Sequence, residues 1–447
     1  MTDGKTVAAG PIASSRSSPS LLLVIVGSSA GSLIEWYDFY LYASMGVYLG
    51  RLFFPQDAHQ GMLGLLFTMA TLGIGFAIRP FGGLLFGSMG DRLGRKFSFV
   101  FTLVLMGVST TCMGLLPSFP SIGYAAPVTL LLLRILQGLA AGGEVGGAFS
   151  YVAENAPDDK RGWYLGILTG MSPLGTLISL AVVYVCRVAT GPVDFAAWGW
   201  RIPFLLSGML VIISLRFRLR LQETAAFEAL QRSHQEAKSP VRELFTTREN
   251  VRTMLLAIFG STAGQGALGT TALVFTPSFM QAILHVDIET AASVALVAVV
   301  LALPFYIASG WICDRIGRRP MIIAGSGLAV IFYVPIYHGM QLAAAPPQFW
   351  TLVFYNWVMI LFVATMLPAT AASIAELFPT RLRSTGVGVS YNISNGLLNG
   401  FMPLIGFGLV SATGNIYTAL AYPMVLAATT TIVSLTCVGE TYRSKLS

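Results

Sequence analysis

The sequence predicts an all-α membrane protein of twelve transmembrane helices, arranged as two pseudo-symmetric six-helix bundles, and three observations carry that reading. Of the 447 residues, 55% are hydrophobic and only 11% charged, and the mean hydropathy of +0.71 exceeds what a soluble domain needs to fill its core. Apolar stretches of about 20 residues recur, each long enough to cross about 30 Å of hydrocarbon as a helix, without the alternation that a barrel strand shows. Finally, the ten residues GSMGDRLGRK at Gly87 to Lys96 return as GWICDRIGRR at Gly310 to Arg319, with Asp91 answered by Asp314 after 223 residues, about half the chain. A signal duplicated at half the chain length marks an internal repeat whose copies are each incomplete alone.

Taken in order, residues 1–20 are rich in Ser, Ala and Gly and read as a cytoplasmic tail. They are not a cleavable signal, because the apolar segment that follows is too long and is interrupted by acids. The N-terminal bundle, 21–215, has helices expected at about 21–49, 61–90, 97–116, 125–153, 163–186 and 200–215. A polar connector, 216–251, contains Leu221–Thr224 and mixed charges, and reads as a short surface helix. The C-terminal bundle, 252–438, has helices expected at about 252–283, 290–312, 320–341, 349–376, 384–411 and 415–438, and 439–447 form a second cytoplasmic tail. With the N-terminus inside, 22 of the 27 Lys and Arg fall in inner segments and only Arg51, Arg187 and Arg201 in outer ones. That bias places both termini on the cytoplasmic side of a cell (inner) membrane.

A second duplicated pair supports the repeat. Glu154 and Arg161 join helices four and five, and Glu376 and Arg383 join helices ten and eleven, both intervals being 222 residues.

Composition also excludes classes. The net charge of +7 lacks the basic face of a soluble nucleic-acid binder and is better read as topology. Cys112, Cys186, Cys313 and Cys437 have no metal-ligand or disulfide spacing and read as packing residues. No metal cluster and no nucleophile with its base is visible, so neither an enzyme nor a cofactor is expected. His59, His234, His285 and His338 fall in loops or near ends, which argues against a histidine relay.

Five ionisable residues lie well inside expected spans: Glu35, Asp38, Arg79, Arg134 and Glu144, all in the N-terminal half. A charge at the bilayer centre costs about 3 kcal/mol or more, so such residues face a cavity or a partner. Glu35, Asp38 and Tyr42, at i, i+3 and i+7, fall on one face of helix one. A carboxylate in a low-dielectric cavity can load and release a proton, making Glu35 and Asp38 the proton-carrier candidates. Arg79 and Arg134 can each grip a substrate carboxylate with two parallel hydrogen bonds. The alternative is a standing ion-pair network in which none of these groups titrates. Glu144, set among Gly138, Gly142, Gly143, Gly146 and Gly147, is either a cavity acid for proton coupling or an arginine's partner, and the glycines read as helix packing.

Twelve helices in two halves, the GxxxDRxGRK loop with its copy, and Arg134-Ile-Leu-Gln-Gly138 on helix four together resemble the major facilitator superfamily. Glu35-Trp-Tyr-Asp38-Phe-Tyr, Arg79-Pro-Phe-Gly-Gly83, Gly142-Gly-Glu-Val-Gly146 and Trp198-Gly-Trp-Arg-Ile-Pro-Phe204 look like its metabolite:proton symporter branch. The resemblance implies proton-coupled import of a small polar metabolite by alternating access. The leading expectation is an organic acid, such as a di- or tricarboxylate. The alternatives are a zwitterion such as betaine or proline, which needs an aromatic cation site beside the arginines, and a transporter-like nutrient sensor. Osmosensing members bear a long C-terminal coil, and a chain that stops at Ser447 counts against that subgroup. The family also implies a coupling role for an arginine at the place of Arg134. Only Gly170-Met-Ser-Pro-Leu-Gly175 stands where antiporters show a GPxxGG element, which favours symport. The partners implied are a small molecule, protons and lipid, with no nucleic acid, and a monomer as the working unit.

In the second half the candidates are neutral: Gln265, Tyr306, Tyr355, Asn356, Trp357, Tyr391, Asn392, Asn395 and Asn399. Of these, Gln265, Tyr355, Asn356, Asn392 and Asn395 join Tyr42, Arg79 and Arg134 as expected substrate contacts, although helix-to-helix hydrogen bonding is the competing role. The repeated loops are expected to gate. Asp91 would sit on the positive end of helix eleven near Ser384, and Asp314 on that of helix five near Gly162. Gly87, Arg92, Gly94, Arg95 and Lys96, then Gly310, Arg315, Gly317, Arg318 and Arg319, and the Glu154, Arg161, Glu376 and Arg383 anchors complete that gate.

Overall fold

The computed structural model describes residues 21–55, 70–71, 73–442, 444 and 446. The expected tail 1–20, the start of helix two and His59 lie outside the described residues. Among those described the chain is helical, with no strand.

The N-terminal half contains α1 (Leu21–Ser44, prolonged by Gly46–Phe53), α2 (Arg79–Leu93, with 73–77 helical before it), α3 (Arg95–Leu115), α4 (Ala125–Asn155), α5 (Arg161–Asp194) and α6 (Arg201–Leu219). The connector carries two short helices, Ala225–Arg232 and Pro240–Thr246. The C-terminal half begins with α7, made of Arg248–Ala257, Ala263–Thr270 and Thr276–Ala282 joined by π turns at Ile258–Thr262 and Thr271–Phe275. There follow α8 (Ile288–Ile316), α9 (Arg318–Leu342), α10 (Phe349–Leu377), α11 (Arg383–Asn392 and Met402–Thr413, with a π turn at Ile393–Leu398) and α12 (Ala421–Thr436). Among the described residues nine helices are each long and apolar enough to cross a membrane; α1, α2 and α7 complete the twelve. Their outward faces carry Phe101, Val185, Ile331 and Val425, all exposed, as hydrocarbon requires.

Several helix ends lie a few residues from the expected ones, and two of these have a clear local reason. Helix α5 runs on past Cys186 to Asp194 because Gly191, at φ 79°, absorbs a kink rather than ending the helix. Helix α6 continues to Leu219 instead of stopping at 215, because Arg218 turns inward to a buried acid.

Helices α2 and α3, and likewise α8 and α9, are separated by one residue, Gly94 or Gly317, at φ 114° and φ 105°. Only glycine adopts that backbone readily, so both repeated loops are tight turns that project their flanking charges at one end of the molecule. In the N-terminal half α4 packs on α2 and α3, and α1 on α5; in the C-terminal half α10 packs on α8 and α9. The halves meet where α5 packs on α8, and α11 on α2 and α4. A Cβ at Gly87 would lie 2.8 Å from the Thr385 Cα of α11, so the inter-half approach there depends on the missing side chain. The buried Gly142 and Gly146 of α4 face the α2 and α11 backbones in the same way, which is the packing role expected of that run.

Candidate functional site

A small cavity opens inside the N-terminal half, lined by Glu35, Phe39, Phe76, Arg79, Arg134 and Gln137, with Gly75, Met106, Gly138 and Ala141. Glu35 and Phe39 reach it together because they stand four residues apart on α1. Glu35 Oε1 lies 3.3 Å from Arg79 Nη2, both nearly buried. The Arg79 guanidinium sits 4.7 Å from the Phe76 ring centroid, and Phe76 meets Phe39 edge-on at 4.7 Å. Trp36 and Tyr40 stack beside Phe39 on the same helix. The Arg134 guanidinium covers the Tyr42 ring at 3.7 Å and donates to Gln137 Oε1. Its buried Nε has no partner among the described residues.

The single face expected for Glu35, Asp38 and Tyr42 is divided. Three residues turn a helix by about 300°, leaving Asp38 some 60° round from Glu35, and that is enough to carry it out of the cavity wall. Asp38, 1% exposed, accepts from Ser207 Oγ of α6 at 2.5 Å and from Thr110 Oγ1 of α3 at 2.7 Å. Tyr42 reaches the cavity only through Arg134, its hydroxyl being bonded to Thr71.

Glu144 does not line the cavity. It is fully buried, ion-paired with Arg218 of α6 and bonded by Thr102 at 2.9 Å. Reading Arg218 as part of the connector hid that partner. Both oxygens of the acid are satisfied in this pair, and removing one member of such a pair costs about 3–5 kcal/mol.

The C-terminal candidates are dispersed rather than gathered at the cavity. Asn392 donates to the Gly142 and Gly388 carbonyls, each at 2.7 Å, bridging α11 to α4. Asn395 bonds back to the Tyr391 carbonyl at 3.1 Å, and Asn399 to Ser394 and Ala263. Tyr355 packs against Gly339 of α9, Trp357 against Phe305, and Tyr391 against Phe149. Tyr306 is buried on α8. Gln265 Oε1 and both amide atoms of Asn356 are buried without a hydrogen-bond partner among the described residues.

At the end carrying the repeated loops, Asp91 accepts from Ser384 N at 3.1 Å, Thr385 N at 2.8 Å and Thr385 Oγ1 at 2.6 Å at the start of α11. Asp314 accepts from Gly162 N at 2.8 Å and Trp163 N at 2.7 Å at the start of α5. Carboxylates at helix N-termini meet free N–H groups and the positive dipole end. Each aspartate is also paired within its loop, Asp91 with Arg95 at 2.5 Å and Asp314 with Arg318 at 2.8 Å. The four loop anchors join across the halves: Glu154 with Arg383 at 2.8 Å, and Arg161 with Glu376 at 3.1 Å. Each cluster thus sets two buried acids against two arginines, and Arg161 also pairs with the exposed Asp158. Arg92 and Arg315 are exposed, outside these clusters, with Arg315 stacked on Trp311.

One repeated element escaped the sequence reading. Glu223-Thr224 after α6 and Glu440-Thr441 after α12 stand 217 residues apart. Glu223 accepts from Lys96 N and Thr224 bonds Glu154; Glu440 accepts from Arg318 N and Arg319 N and Thr441 bonds Glu376. A two-residue match has too little length to stand out without the contacts. Ser207 and Thr110 were missed because single polar residues in apolar helices carry no pattern, and Gln137 was noted only as part of the Arg134–Gly138 stretch.

The family model described as Major Facilitator Superfamily matches residues 28–338 and 266–445. The proline/betaine transporter of Escherichia coli (strain K12) is 32% identical over 423 residues, covering 92% of this chain and 82% of the relative. The shikimate transporter of the same strain is 33% identical, covering 89% and 90%. The structure of the proton:xylose symporter XylE bound to 6-bromo-6-deoxy-D-glucose superposes with a TM-score of 0.78 at 17% identity, over 95% of this chain and 97% of that one. Two six-helix halves, joined at one end through their repeated charged loops and matched along nearly their whole length by transporters, make this chain a member of the major facilitator superfamily, a multi-pass membrane transporter.

Proposed function

We propose that the chain is a proton-coupled symporter that imports a small zwitterionic metabolite of the proline or betaine type by alternating access. The observation that carries this is the make-up of the cavity, where Glu35 and the Phe39–Phe76 pair stand beside Arg79 and Arg134. A cationic nitrogen suits a carboxylate and aromatic faces, and a substrate carboxylate suits the guanidiniums. The zwitterion would enter the Glu35–Arg79 pair, satisfying each member with the opposite charge. Proline/betaine transporters recur among the relatives, which favours this substrate class over the organic acid put first by the sequence.

Asp38 is the assigned proton site, held by two hydroxyls apart from the substrate. The repeated loops are the gate. Placed in the cytoplasm by the charge bias, they keep the inner side shut in this conformation, and the inter-half bonds of Asp91 and Asp314 break when the carrier opens inward.

A small organic acid is the second reading. It is favoured by the excess of positive charge in the cavity, two arginines against Glu35 alone, and by the similarity to a shikimate transporter. Competition separates the two. Against uptake of labelled L-proline in proteoliposomes, unlabelled betaine should compete strongly and shikimate or succinate weakly. Absence of proline uptake, with saturable uptake of a labelled dicarboxylate, would overturn the zwitterion reading in favour of the second.

A further inference from the structure

Asp38 does not touch the cavity, yet a continuous run of hydrogen bonds joins it to the cavity arginine. Its Oδ2 accepts from Thr110 Oγ1 at 2.7 Å, Thr110 Oγ1 accepts from Gln137 Nε2 at 2.8 Å, and Gln137 Oε1 accepts from Arg134 Nη1. All four side chains are buried, and they come from α1, α3 and α4. The Thr110 hydroxyl also has a second acceptor within reach, the Met106 carbonyl one turn back at 3.1 Å. The charged side chain facing Asp38 from another helix is Arg134, with Glu35 and Tyr37 interacting along α1. Ser207 and Thr110, from α6 and α3, are neutral.

We propose that Thr110 is a positioning residue that passes the proton state of Asp38 to Arg134, and this rests on the assignment of Asp38 as the proton site. A hydroxyl has one proton and two lone pairs. While Asp38 is ionised, the Thr110 proton points to Oδ2 and one lone pair receives Gln137 Nε2–H. When a proton arrives on Oδ2, the new Asp38 O–H donates to the free lone pair of Thr110, whose own proton turns to the Met106 carbonyl. Gln137 keeps its bond throughout, and every donor has an acceptor in both states. The chain therefore tolerates a change of charge without leaving a buried polar group unpaired, a condition that an aliphatic residue at 110 cannot meet.

The consequence falls on Arg134. With an anion at the far end, each bond polarises the next and strengthens the last one, holding the guanidinium toward Gln137 and Tyr42. Protonation of Asp38 removes both the polarisation and the direct attraction, so the guanidinium is released toward a substrate carboxylate. Loading of the proton thus precedes tight binding of the substrate. Gln137 transmits orientation only, since an amide does not pass on a proton in this arrangement.

The test needs no substrate. Infrared difference spectra of the purified carrier, taken between alkaline and acidic buffer, should contain a protonated-carboxyl C=O band that is lost in Asp38→Asn. In Thr110→Val that band should move to higher frequency, because the protonated acid has lost its acceptor, and in Thr110→Ser it should return to the wild-type position. Thr110→Ala carries the same expectation as Thr110→Val should the latter not fold. An Asp38 band at the same frequency in the Val and Ala variants, or no band assignable to Asp38, overturns the proposal. Uptake of labelled L-proline by the same preparations is read separately. A several-fold fall in KM from pH 8 to pH 6 in wild type, flattened in Thr110→Val and restored in Thr110→Ser, supports the link to Arg134, and an unflattened profile overturns that link. A wild type that ignores proline but shows the Thr110-dependent band contradicts the substrate reading and leaves the hydroxyl switch supported.

Discussion

Asp91→Asn tests the gate at a single pair of atoms. The carboxylate divides its bonds, Oδ2 receiving Thr385 N and Oγ1, and Oδ1 receiving Ser384 N and Arg95 Nη1. An asparagine can offer its one oxygen to Thr385, but its NH2 then faces two donors, Ser384 N–H and the Arg95 guanidinium. Of the two, only the Ser384 bond crosses between the halves; its loss at about 1.5–3 kcal/mol weakens the closed inner side by that amount, a shift of roughly ten- to a hundredfold toward the inward-open state. Arg95 keeps the Gly90 carbonyl at 2.7 Å and Glu154 at 3.4 Å, so the fold should survive. Spin labels at the exposed Arg92 and Arg315, one on each half and outside the ion-pair clusters, report the separation of the loops by double electron–electron resonance. The wild type should show a short, narrow distance distribution and the variant a longer, broader one, with slower uptake and nearly unchanged outward-side affinity. An unchanged distribution, or a pure loss of affinity with normal cycling, would refute the reasoning.

Other changes probe the remaining assignments. Asp38→Asn keeps its oxygen as the acceptor for Ser207 and turns an N–H to the Thr110 hydroxyl, whose own proton goes to the Met106 carbonyl, so it should fold normally and exchange proline across the membrane while losing proton-driven accumulation, as counterflow and gradient-driven uptake will reveal. Glu35→Gln removes the cation's partner and should weaken betaine binding about tenfold, on the order of 1.4 kcal/mol, while leaving a simple carboxylate bound as well or better in a competition assay. Glu144→Gln or Arg218→Met should each lower stability by about 3–5 kcal/mol in thermal unfolding, whereas the double change Glu144→Leu with Arg218→Met should recover much of that loss; additive losses would mean that the pair is not the structural unit described.

The parts of this molecule that were legible in its sequence are those that repeat or that break a strong rule. The Asp91 and Asp314 loops appear twice at fixed offsets, and an acid at the end of one helix suits the positive N-terminal end of a helix in the other half. Intramembrane Glu35, Arg79 and Arg134 announce themselves by cost, and all three line the cavity. Asp38 and Glu144 announce themselves equally, but cost alone does not distinguish a cavity from a partner. Thr110, Ser207 and Arg218 decided their placement, and each is reached only through packing between helices distant in sequence. The neutral C-terminal candidates were the least legible. Asn392 and Asn399 bond backbone carbonyls of their own and neighbouring helices, as amides in apolar helices commonly do.

The most direct measurement is uptake of labelled L-proline into proteoliposomes under an imposed pH gradient, acid outside, comparing wild type with Asp38→Asn. Accumulation above the outside concentration, collapsing when the gradient is dissipated and absent in Asp38→Asn, is the predicted result. Uptake that proceeds equally with and without the gradient, or an Asp38→Asn variant that still accumulates proline, would contradict proton coupling at Asp38.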